Sequence, residues 1–152
     1  VSENDEVLRR FVEAWKLMCL SKDGEAFFLG MLPSIYGDSY LKKNREALNQ
    51  RAKAIPSLGE DYLKGQISLY DTFLQEVNFT DRLHEIQCPT LIVCGEDDLL
   101  KRPKFSRIIY ENIKQSEFVL IPDCGHVTIF EQVDVLKTCL LGFILKHNRK
   151  GK

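Results

Sequence analysis

Apolar positions change their period once along this chain. Up to about residue 85 they recur with helical spacing. Leu8, Phe11, Val12, Trp15, Met18 and Cys19 fall at i, i+3, i+4 and i+7, one face of an amphipathic helix. A short second helix is expected from Gly24 to Met31, ahead of Pro33, and a third from Leu41 to Ile55, closed by Pro56. The longest pattern runs from Leu58 to Val77, with Tyr62, Ile67, Tyr70, Phe73 and Leu74 on one side. Leu83 to Ile86 then leads into Cys88-Pro89.

Beyond residue 88 short β-branched runs begin. Thr90 to Cys94 and Phe118 to Ile121 lack polar alternation, as do parallel strands covered on both faces. Pro103 to Gln115 reads as the helix between them. Ile129 to Leu145 reads as a closing helix with Phe130, Val133, Leu136, Leu140, Phe143 and Ile144 along one stripe. The expected class is α/β: a helical module at 1–85, then strand–helix–strand–helix at 86–152. Two parallel strands do not make a stable sheet alone, so their edges need pairing from elsewhere.

Each strand ends in a glycine beside a side chain of catalytic type. The first ends Cys94-Gly95-Glu96-Asp97-Asp98, and the second leads into Asp123-Cys124-Gly125-His126. An acid and a histidine thus follow the C-terminal ends of successive strands, the edge where open α/β sheets hold ligands. Gly125 is expected to allow a tight turn and a close backbone approach. An imidazole at position 126 can reach over the sheet edge and act as a general base. Asp98, three residues past Gly95, is the acid best spaced to hold its Nδ1–H, with Glu96 and Asp97 as rivals. Three adjacent acids also raise a metal, but the surrounding spacing resembles no oxygen-ligand loop, so no metal or cofactor is expected.

The nucleophile is missing. None of Ser2, Ser21, Ser34, Ser39, Ser57, Ser68, Ser106 and Ser116 lies in Gly-x-Ser-x-Gly or a close variant. Cys94 lies within a strand and Cys124 two residues before the histidine, so both read as structural, and no oxyanion hole can be assigned.

Lys and Arg number 21 against 22 Asp and Glu, a net charge of −1. That balance provides no footprint for nucleic acid or an anionic membrane. The basic run Lys146-His147-Asn148-Arg149-Lys150-Gly151-Lys152 is expected to be a solvated helix end, where cations suit the macrodipole. Five cysteines, odd in number and without a CxxC, suit reduced thiols in a cytoplasmic protein. No apolar run reaches the ~20 residues that span a bilayer, and the polar start is unlike a signal peptide. The first residue is Val, not Met, which points to a piece of something longer.

These residues resemble an α/β-hydrolase. Ile86-x-Cys-Pro-Thr-Leu-Ile-Val-x-Gly-Glu-Asp-Asp98, followed by Pro103, is similar to the strand bearing that family's catalytic acid. Phe118-Val-Leu-Ile-Pro-x-x-Gly-His126, with Phe130-Glu131-Gln132 and the closing helix, is similar to its histidine loop. The resemblance covers residues 86–145 and implies Asp98 as triad acid and His126 as triad base. Residues 1–85 resemble, more weakly, the helical cap inserted before the acid-bearing strand. Trp15, Met18, Phe27, Phe28, Met31, Tyr36 and Tyr70 would then line an apolar acyl or alcohol pocket. For each taken singly, packing between helices is the simpler account.

What the resemblance implies is the C-terminal part of a serine-type hydrolase for small ester, lactone or related acyl substrates. The nucleophile would come from an N-terminal half, in the same polypeptide or another. An isolated fragment would instead cover its sheet edge by self-association, including a domain-swapped homodimer. A non-catalytic binding or interaction protein on the same fold is the alternative. An aspartate at the absent elbow would turn the site to carbon–halogen or epoxide chemistry.

Overall fold

In the computed structural model, which describes residues 1–148, helices come first and a two-stranded parallel sheet follows. Helix α1 (Glu6–Leu20) starts where the Asp5 carboxylate accepts from the Leu8 N–H at 3.0 Å. Helix α2 (Gly24–Ile35) starts in the same way, Asp23 accepting from Ala26 N–H at 2.9 Å. Each cap satisfies a first-turn N–H that has no partner inside the helix. Helix α2 does not stop before Pro33 as expected. The proline removes one N–H near the helix end, and the Tyr36 N–H still reaches Leu32 C=O at 3.0 Å.

The helix expected over 41–55 is two. Helices α3 (Asp38–Lys43) and α4 (Arg45–Ala54) are separated by Asn44, whose φ of −109° and ψ of 14° break the helical path. Its side chain donates to Tyr40 C=O, a local bond that competes with the helical ladder. A 3₁₀ turn (Ile55–Leu58) then leads into α5 (Gly59–Glu76), and a second 3₁₀ turn (Thr80–Glu85) leads to the sheet.

Strands β1 (Thr90–Gly95) and β2 (Ser116–Ile121) run parallel, with Thr90 opposite Ser116 and Gly95 opposite Ile121. Helix α6 (Pro103–Asn112) is the crossover that parallel pairing requires, and it packs on both strands. Helices α7 (Thr128–Glu131) and α8 (Val133–Asn148) close the described chain.

One apolar cluster ties the layers together. Leu8, Val12, Trp15 and Cys19 of α1 meet Phe27, Leu63 and Tyr70, and the same cluster takes in Leu100 and Phe105 from beyond β1. Asp5 reinforces that seam by ion pairs to Arg102 and Lys104. The far side of the sheet is different. The cover on both faces that the strand composition calls for is incomplete: in β2 only Ile121 is buried. Helix α8 touches β1, yet none of its residues is buried, and Leu141 is 61% exposed with Leu140, Ile144 and Leu145 open beside it. An apolar helix and a sheet with two free edges, among the described residues, form an unfilled interface. At the end of α8, Lys146 and His147 pair with Glu117 rather than standing free in solvent. Residues 149–152 of the expected basic helix end lie outside the described residues.

Candidate functional site

The two glycines that close the strands bring two loops into backbone contact. A methyl on Gly95 would lie 2.1 Å from Gly125 O and 2.2 Å from Cys124 O, far inside contact distance. A methyl on Gly125 would lie 2.4 Å from Gly37 N. The need for glycine at 125 is therefore close approach. The turn itself is made two residues earlier, by Asp123 at φ 49°. Asp97 N–H donates to Cys124 C=O at 2.9 Å, so the acid loop and the histidine loop are bonded directly.

From these loops Asp98 and His126 meet, with Nδ1 of His126 2.9 Å from Oδ2 of Asp98. Burial selects among the three acids: Glu96 and Asp97 are exposed, whereas Asp98 is 5% exposed. The other oxygen of Asp98 accepts from the N–H groups of Leu100 at 3.0 Å and Lys101 at 2.7 Å. Those bonds fix the orientation of the carboxylate. A carboxylate only accepts, so Nδ1 carries the proton and Nε2 is the free, basic nitrogen. The imidazole is 34% exposed, open enough to meet a reacting group.

Neither Cys94 nor Cys124 is poised for attack. Burial pushes the Cys124 thiol up to about 12, with the Glu131 and Asp98 carboxylates adding to the effect. Burial likewise raises Cys94. Thiolate is scarce at neutral pH under those conditions. Among the described residues, no serine hydroxyl hydrogen-bonds the His126 ring. Burial pushes the neighbouring Lys101 ammonium down to about 8, the Asp98 carboxylate acting the other way, and its Nζ sits 3.6 Å above the centre of the Phe73 ring.

A cleft of about 300 Å³ opens among α2, α4 and α5, walled by Phe28, Met31, Tyr36, Arg51, Ile55 and Tyr62. It adjoins the histidine loop, since His126 N–H donates to Ile35 C=O at 2.8 Å and Val127 packs on the Phe28–Tyr36 cluster. Of the seven pocket residues expected from sequence, Phe28, Met31 and Tyr36 line this cleft, whereas Phe27 and Tyr70 are buried in the core. Trp15 does not line it either: it is 6% exposed in the core, against Tyr70. Met18 also packs against that core and touches Gly30 of α2. Both are held by the α1–α5 seam because they share the face that carries Leu8 and Val12.

Sequence reasoning passed over Glu131 as part of a motif. Its carboxylate accepts from the N–H groups of Gly37 at 2.8 Å, Gly125 at 2.9 Å and Val127 at 3.1 Å. Two of these partners are local, but nothing in the sequence announces the third, which lies 94 positions away.

No protein-family model matches the sequence. The proline iminopeptidase of Lactobacillus helveticus is 29% identical over 124 residues, 72% of this chain and 42% of that protein. The proline iminopeptidase of Lactobacillus acidophilus is 30% identical over 110 residues, 62% of this chain and 37% of that one. Among solved structures, MGS-M2, an α/β hydrolase enzyme from a Medee basin deep-sea metagenome library, superposes with a TM-score of 0.87 at 24% identity. That match covers 95% of this chain and 53% of the other. Est816, described as an N-acyl homoserine lactone degrading enzyme, superposes with a TM-score of 0.68 at 25% identity, covering 90% of this chain and 53% of its own. The chain thus spans about half the length, or less, of the proteins it matches.

Proposed function

This chain belongs by its fold to the α/β-hydrolase superfamily, and on that premise we propose that it supplies the acid–base half of a serine-type acyl hydrolase. The observation that carries the reading is the 2.9 Å bond between His126 Nδ1 and Asp98 Oδ2 at the C-terminal ends of two parallel strands. In this reading residues 1–85 are a helical cap and residues 86–152 the C-terminal part of the core. The remaining strands pair with the open sheet edge and cover the apolar face of α8.

A serine from that other half approaches Nε2 of His126. The imidazole takes the hydroxyl proton as the oxygen attacks the acyl carbon, and Asp98 holds the ring and stabilises the imidazolium that forms. The same proton then passes to the leaving group as the acyl-enzyme forms. Water repeats the sequence, releasing the acid. The apolar cleft at Phe28, Met31 and Tyr36 suits the acyl or alcohol part of an ester, lactone or related small molecule. Relatives and structural neighbours that include an enol-lactonase, an esterase and a proline iminopeptidase support acyl chemistry. Five free cysteines support a reducing, cytoplasmic setting.

The test uses the full-length protein that contains this chain, treated with a fluorophosphonate and followed by intact mass. One serine outside residues 1–152 should be labelled. Labelling and ester turnover should both fall by about 10⁴-fold or more in His126→Ala. Near-normal turnover in that variant, or a wild-type protein that neither labels nor hydrolyses, would refute the reading. A wild-type protein that still binds acyl ligands would then be a non-catalytic binder.

A further inference from the structure

We propose that Glu131 is a positioning residue for His126, holding the histidine loop on the segment at the end of α2. This rests on the hydrolase reading for its kinetic consequence, though not for its structural one. Three successive N–H groups surround the imidazole's attachment point, and all three are committed. Those of Gly125 and Val127, on either side of His126, donate to Glu131 at 2.9 and 3.1 Å. That of His126 itself donates to Ile35 C=O at 2.8 Å. Glu131 also accepts from Gly37 N–H at 2.8 Å, so one carboxylate joins the histidine loop to the same short segment that Ile35 joins it to.

A carboxylate suits this place for a specific reason. It accepts at both oxygens and donates at neither, and charge-assisted bonds to N–H are about twice as strong as neutral ones. Oε2 serves Gly37 and Gly125 together, and Oε1 serves Val127. An amide of the same shape has one accepting oxygen and an NH₂, so at least one of the three N–H groups would face another donor. Asp98 holds His126 through its ring, and Glu131 holds it through its backbone. The backbone that carries the imidazole cannot shift relative to Asp98 without breaking bonds to Glu131 or to Ile35. Segment 35–37 also borders the apolar cleft, so its placement and that of the base are set together.

The test is Glu131→Gln in the full-length protein. The first readout is the low-field proton NMR signal of the His126 Nδ1–H that bonds Asp98, identified by its loss in His126→Ala. The second is steady-state kinetics on a short ester. Positioning predicts a variant that folds, shown by near-ultraviolet circular dichroism, with the proton signal moved upfield or broadened away. Turnover should fall roughly 10- to 100-fold with KM within about twofold, the signature of a displaced catalytic group. An unchanged signal with unchanged kcat overturns the proposal, whatever happens to the melting temperature. If Glu131→Gln does not fold, Glu131→Asp, which keeps the charge but shortens the reach, is read in the same two ways. Failure of both to fold would make Glu131 a stability element and overturn the positioning role. A wild-type protein without hydrolytic activity would sink the hydrolase reading alone, because the proton signal still reports whether Glu131 holds the ring.

Discussion

Replacing Gly125 by Ala tests the close packing on which the site depends. The added methyl would lie 2.4 Å from Gly37 N, 2.7 Å from the Tyr36 carbonyl carbon and 3.0 Å from Oε1 of Glu131. Two of those atoms are backbone and cannot swing aside. Restoring an ordinary carbon contact of about 3.5 Å requires a separation of roughly 1 Å between the histidine loop and segment 36–37. A movement of that size stretches the 2.8 Å bond from His126 N–H to Ile35 C=O and the 2.8 Å bond from Gly37 N–H to Glu131 well past useful length. Two lost hydrogen bonds cost about 1 kcal/mol each. Residual overpacking adds about 1–3 kcal/mol. The total destabilisation is about 3–5 kcal/mol. It should be read as the shift in urea unfolding midpoint of the full-length protein at constant m. Turnover should fall up to about 100-fold through displacement of His126. Gly65→Ala is the control. Gly65 is exposed in α5 with nothing within 4 Å of the added methyl, and the change should stabilise by about 0.5–1 kcal/mol. A Gly125→Ala protein as stable and as active as wild type would show that the loops do not pack as described.

Two further expectations concern a buried charge and the cleft. Lys101 is held near pKa 8, whereas the unfolded chain keeps that proton to about 10.4. Between these values the unfolded state binds more protons, so stability rises with pH across the window, and below pH 8 the folded state carries the full cost of the buried ammonium. Lys101→Met should therefore stabilise the full-length protein by about 1–2 kcal/mol at pH 7, after allowance for the lost cation–π contact with Phe73, and should abolish the rise from pH 8 to 10. Equal stability gains at pH 7 and pH 10 would refute that account. Met31→Trp narrows the cleft beside Tyr36 and should raise KM for long acyl esters several-fold while leaving acetate esters unchanged, as measured by steady-state kinetics on a chain-length series. Equal effects on both would separate the cleft from substrate.

Helical periodicity located α1, α5 and the closing helical region, and short β-branched runs without polar alternation located both strands. A 3.6 repeat records which face of a helix avoids water, and an unbroken apolar run records cover on both faces; that information is local. The glycines before Asp98 and before His126 marked the two loops for the same reason. Local pattern failed where a competing local bond or a tolerated defect decided the outcome. Asn44 broke one expected helix into two through its own side chain, and α2 ran through Pro33 because only the last turn had to do without that N–H.

What only the tertiary structure decided was pairing between distant parts. Sequence left Glu96 and Asp97 as rivals of Asp98; burial and the bond to His126, 28 residues away, separate them. Trp15 and Met18 looked as suited to a pocket as Phe28 and Met31, since an apolar face does not say whether a core or a cleft will meet it. Glu131 looked like any helical glutamate until folding brought Gly37 to it across 94 residues. The apolar stripe of α8 was legible throughout, yet among the described residues it meets no partner that buries it. Hydrophobic pattern records that a surface must be covered; only the assembled backbone determines by what.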